Sequence, residues 1–171
     1  LERPSAGTVT VSGNNLGTMD EDALALFRRN TIGIVFQSFH LIPTMTALEN
    51  VAVPLELASN KDAFDIAAAS LEAAGLGPRV GHYPSQMSGG EQQRVAVSRA
   101  FAGAPALVIA DEPTGNLDTT TGAAIVDLMF SIQASQQTAL VLITHDGAIA
   151  QRCDRIIHMQ DGRAMPYTKV D

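Results

Sequence analysis

The side chains best suited to phosphate chemistry lie in two stretches, Met87 to Ala100 and Leu107 to Asp118. A helix beginning after Ser88 exposes unpaired N–H groups and a partial positive charge at its first turn. Glycines at 89 and 90 let an anion approach that backbone closely, and the Ser88 hydroxyl adds a donor. Ser88, Gly89 and Gly90 therefore make a phosphate nest, with Glu91 completing a capping box. In the second stretch an apolar run ends in two carboxylates, Asp111 and Glu112. Open α/β sheets bind ligands at the carboxyl ends of their strands. Asp111 is placed there to hold Mg²⁺, directly or through water. Glu112 follows it on an alternating strand, faces the other side and can polarise an attacking water. Each stretch also has a plainer reading: a capped helix with a glycine turn, and a solvated acidic turn.

The elements that must position these groups alternate along the chain. Thr8 to Val11 is β-branched and reads as a strand. Asp20 to Arg29 has acids first, arginines last and apolar residues at helical spacing, which predicts a helix. A short strand over Ile32 to Phe36 precedes a polar break at Gln37. Thr46 and Glu49 form a capping box for a helix to about Leu57, with Pro54 expected to bend it. Asp62 to Ala74 reads as a helix closed by Gly75, and 88 to about 101 as another. Strands are expected at 106–110, 138–143 and 155–159, the last leading to a hairpin turn at Asp161-Gly162. Asp118 is the N-cap of a helix to about Gln136. The opening Leu1-Glu2-Arg3-Pro4 reads as a helix end and a turn.

This alternation predicts an α/β domain with a parallel sheet. Residues 44–87 contain helices and no strand, so they read as a helical subdomain inserted between core segments 1–43 and 88–171. A chain of 171 residues suits one domain. With no Trp and few aromatics, its core must be largely aliphatic. A net charge of −7 argues against a broad nucleic-acid surface. The lone Cys153 cannot form an internal disulfide. No apolar run is long enough to cross a bilayer, so a membrane link is expected to run through a partner.

Met-Ser-Gly-Gly-Glu-Gln-Gln-Arg at 87–94, followed by Leu-Val-Ile-Ala-Asp-Glu-Pro-Thr-Gly-Asn-Leu-Asp at 107–118, resembles the signature helix and Walker B strand of ATP-binding-cassette (ABC) ATPases. The resemblance implies a P-loop NTPase-like fold that binds ATP and Mg²⁺. It places Gln37 at the Q-loop, bonding Mg²⁺ or the attacking water, and His145 at the switch that contacts the γ-phosphate. It places Asn116 to Asp118 in the D-loop at a homodimer interface, and Glu91 in the nucleotide-contacting signature. It also implies that the helical block docks on a membrane permease subunit, peripherally on the cytoplasmic face of a bacterial plasma membrane. The run from Phe36 to Leu57 is most similar to lipoprotein-releasing and macrolide-exporter ATPases. A cell-division or regulatory ABC ATPase and a non-enzymatic partner module remain alternatives. A DNA-repair ABC ATPase is disfavoured by the acidic pI and the lack of heptads or a cysteine cluster.

One part of the pattern is absent. No G-x-x-x-x-G-K-[ST] occurs, and the only lysines are Lys61 and Lys169. In the family a strand, that phosphate loop and a helix precede the segment matched here. The sequence as it stands is therefore expected to bind ATP poorly, to hydrolyse it negligibly alone, and to expose a sheet edge with an apolar patch.

Overall fold

The computed structural model describes residues 4–165 and 168–169. The helix end expected at Leu1 to Arg3 lies outside the described residues. The centre is a three-stranded parallel sheet of β3 (Ile32–Val35), β4 (Leu107–Asp111) and β5 (Ala139–Ile143), in that spatial order. Two long crossovers separate these strands in sequence, as parallel pairing requires. In register, Gly33 faces Val108, Ile34 faces Ile109, and Ile109 in turn faces Val141.

Helices α4 (Gly89–Phe101) and α5 (Thr119–Gln136) cover one face. Val35, Val97, Phe101, Val108, Ala110, Ile125 and Met129 form the buried cluster between them. The close approach of α4 to the sheet depends on Gly33, since a Cβ there would collide with the carbonyl oxygen of Ala100. The opposite face is less covered. Ile34 and Ile109 are half-buried, and on the edge strand β5 Val141 and Ile143 are 48% and 49% exposed. The exposed large apolar side chains of this sheet thus fall on β5.

A second apolar cluster joins α2 (Ala47–Leu57), α3 (Ala63–Ala73) and the outer side of α4 through Val51, Ala52, Ala67, Leu71, Leu76 and Val95. Helix α2 starts on the Thr46/Glu49 capping box and runs on through Pro54. Its buried Asn50 ties down the preceding loop. The Asn50 side chain accepts from the Ile42 amide at 2.7 Å and donates to the carbonyls of Ile42, Met45 and Thr46. Gly75, at φ +73°, closes α3 with the left-handed backbone that glycine adopts without cost. Helix α4 serves both clusters, so the chain segments expected as core and helical block share one helix.

Three expectations shift. The first strand shortens to β1 (Thr10–Val11), which pairs with β2 (Asn14–Asn15) across a turn with positive φ at Ser12 and Gly13. The first helix, α1 (Glu21–Thr31), runs two residues past Arg29. The strand expected over 155–159 is divided into β6 (Arg155–Ile156) and β7 (Met159–Gln160). The two halves take different partners: β6 pairs with β9 (Thr168–Lys169), and β7 with β8 (Arg163–Ala164) across the Asp161-Gly162 turn. A four-residue helix, α6 (Gly147–Ala150), follows β5. Among the described residues no helix is long and apolar enough to cross a membrane.

Candidate active site

The groups singled out from sequence gather at the carboxyl ends of the parallel strands, where their backbone leaves the ladder. Gln37 follows β3, Asp111 ends β4, and His145 follows β5. Asp111 is exposed, and its carboxylate makes no hydrogen bond or ion pair to the described residues. That leaves a hard oxygen donor open at the strand end.

Glu112 differs from its expected orientation. It sits at φ +44°, outside strand geometry, so the strand's alternation does not set its direction. Its amide still donates to the Ile143 carbonyl at 2.9 Å, holding the turn to β5. The carboxylate swings towards His145. Its Oε1 lies 2.6 Å from His145 Nδ1 and accepts the His145 amide at 3.0 Å. The hydrogen bond that His145 donates to the Glu112 carboxylate, and then the Glu112 charge, raise the His145 pKa above the ordinary imidazole value. The imidazole itself is 85% exposed, so the contact is screened by water.

The Gln37 turn is anchored to the loop beyond Glu112. Asn116 Nδ2 donates to the Gln37 carbonyl at 3.0 Å. A Cβ on Gly115 would stand 2.6 Å from Gln37 Nε2, so glycine allows this approach. Two residues further on, Phe39 and His40 both have positive φ. Arg99 of α4 donates to their carbonyls at 2.9 and 2.7 Å. No sequence signal marks Arg99 for this role, because its contact spans 60 positions and leaves no local pattern.

At the start of α4, the Ser88 hydroxyl accepts the Glu91 amide at 3.3 Å and the Glu91 carboxylate accepts the Ser88 amide at 2.8 Å. Glu91 also pairs with Arg79 at 3.0 Å. The Ser88 amide, chiefly, holds the Glu91 carboxyl below its usual range. Glu91 is thus committed to the cap, while the amides of Gly89 and Gly90 have no intrahelical acceptor. Asp118 caps α5 in the same manner, accepting Thr121 Oγ1 at 2.6 Å and the Thr121 amide at 3.0 Å. The Thr121 hydroxyl is the main reason its carboxyl is also lowered. The Thr121 methyl lies 2.5 Å from where a Gly90 Cβ would stand, which packs the two helix starts together. A cavity of about 410 Å³ opens beside Glu112, Asp118 and His145.

The family profile described as ABC transporter matches residues 1–115. The uncharacterized ABC transporter ATP-binding protein YbbA of Escherichia coli K12 is 50% identical over 165 residues, covering 95% of this chain and 72% of YbbA. The lipoprotein-releasing system ATP-binding protein LolD of Pseudomonas fluorescens is 44% identical over 164 residues, with 95% and 72% covered. In three dimensions the chain is similar to the ATP-binding cassette MJ0796, solved as a dimer in a post-hydrolysis state bound to ADP and Pi. There the TM-score is 0.88 and the identity 38%, covering 99% of this chain and 76% of that one. The chain belongs to the ABC transporter family, as an ATP-binding subunit with the cassette fold.

The Glu112–His145 contact sets a titration. Because the folded pKa of His145 is raised, the charged part of the pair is complete below the ordinary imidazole value of about 6.5 and is lost as pH rises through the folded value. In an NMR titration, Glu112→Gln is expected to return the His145 pKa towards the ordinary value. An unchanged pKa would show that the contact does not persist in solution.

Proposed function

We propose that this chain supplies the hydrolytic machinery for ATP + water → ADP + phosphate in a transporter of the lipoprotein-releasing type. The observation that carries the reading is the meeting of Gln37, Asp111, Glu112 and His145 at one end of the sheet. Glu112 accepts the proton of the attacking water. His145 holds the Glu112 carboxylate through Nδ1 and leaves its other ring nitrogen free to meet the γ-phosphate. The Asp111 carboxylate, unpartnered and exposed, fits Mg²⁺, which takes one or two carboxylates and otherwise water and phosphate oxygens. Gln37 would join it or orient the water. When bound, the ion neutralises charge on the phosphates.

Ser88 is exposed at the start of α4; with the amides of Gly89 and Gly90 it serves the nucleotide of a second subunit, with Asp118 and Asn116 at the same interface. ATP then closes a homodimer, a reading supported by the dimeric MJ0796 cassette. Residues 44–87 act as the helical subdomain that engages a membrane permease at the cytoplasmic face. A groove of about 450 Å³ supports this, with walls that include Val53, Pro54 and Leu57 of α2 together with Arg29 and Arg99. Leu57 is 64% exposed there, and neither arginine meets a carboxylate among the described residues. An apolar wall and two guanidinium groups without a carboxylate partner together suit an amphipathic, acidic permease segment.

Two measurements bear on this. In the full-length protein, Glu112→Gln should keep ATP binding and lower turnover by about 10²-fold or more, the range for a positioned base; wild-type turnover would exclude Glu112 as that base. Leu57→Asp should reduce co-purification of the permease at least roughly tenfold with an unchanged melting temperature. Undiminished recovery would place the docking surface elsewhere.

A further inference from the structure

Where β3 ends at Val35, the next carbonyls lose their ladder partners, and side chains from distant elements take over. Gln93 Nε2, fully buried on α4, donates to the Phe36 carbonyl at 3.4 Å. Asn116 holds the Gln37 carbonyl at 3.0 Å, and Arg99 holds those of Phe39 and His40. Gln93 also reaches a second strand end. The same Nε2 donates to the Pro113 carbonyl at 2.6 Å, directly after Glu112. One amide group therefore joins the turn that carries Gln37 to the turn that carries Glu112.

The other end of that side chain is also informative. Gln93 Oε1 is buried and has no partner among the described residues. A buried acceptor without a donor lowers stability, and a methionine of similar volume would fill the same space without it. Packing alone does not account for glutamine here. The donor half is what the site uses, and the orphaned acceptor is the cost it carries.

We infer that Gln93 is a positioning residue for the ATPase reaction: it fixes the Gln37 and Glu112 turns to α4, the helix whose first turn carries Ser88, Gly89 and Gly90. This rests on the proposed catalytic roles of Gln37 and Glu112. A phosphate group seated on the start of α4 is then mechanically joined to both turns through a single rigid helix.

Hydrogen exchange on the protein without nucleotide tests the geometry. Gln93→Met should speed amide exchange at 36–40 and 112–116 at least roughly tenfold, leaving exchange in α2, α3 and α5 unchanged. Gln93→Leu also removes the donor with an apolar side chain and should give the same local pattern. In the full-length ATPase, Gln93→Met should lower kcat roughly tenfold to a hundredfold with the KM for ATP within about twofold. The inference is overturned if both turns keep wild-type exchange in either folded variant. It is equally overturned if exchange rises alike in α5 and the sheet, or if kcat is unchanged. The exchange readout needs no ATP. A failure of this inference is therefore separable from a failure of Glu112 as base, which the Glu112→Gln turnover reads.

Discussion

The packing of α4 against the sheet at Gly33 is the constraint on which the other features depend. The helix lies so close to β3 that only glycine fits beneath the Ala100 carbonyl. That proximity lets Gln93 reach the ends of β3 and β4, and lets Arg99 reach the left-handed pair Phe39 and His40. It also brings the start of α4 against the start of α5, where Gly90 meets Thr121. A helix held this tightly cannot shift its first turn without moving the turns it anchors, because packed interiors transmit displacement.

Helix α4 is also the element shared by the two apolar clusters. Its inner side packs on Val35, Val108 and Ile125, and its outer side on Val51 and Leu71. A force applied to α2 and α3 therefore reaches the strand ends through one helix. This gives a physical path from the surface of α2 and α3 to the strand ends that carry Gln37 and Glu112. The groove beside Leu57 and the Gln37 turn meet at Arg99, which lines the one and holds the backbone of the other.

Much of this was legible in the residues. The capping boxes at Thr46 and Ser88 and the N-cap at Asp118 fix three helix starts, because each signal is local and lies within four residues. The central strands were legible as short apolar runs between turn signals. What escaped was set by long-range contact. Nothing near Glu112 announces its positive φ or its turn towards His145, 33 residues away. Gln93 was visible as part of a motif, but its bond to Pro113 depends on how α4 crosses the sheet. The divided strand at 155–160 was missed because alternation does not reveal a change of partner midway. Asn50 has the same character: a polar residue inside an apolar helix makes sense only once the loop it ties is in place.

In the proposed reading the start of α4 recognises a phosphate held by a second subunit, while the strand ends behind it carry out hydrolysis. Sedimentation of the full-length Glu112→Gln protein with saturating Mg-ATP tests this most directly, beside the same protein carrying Ser88→Arg. An ATP-dependent dimer is expected for the first and a monomer for the second. A monomer in both cases, or a dimer indifferent to ATP and to Ser88, would contradict it.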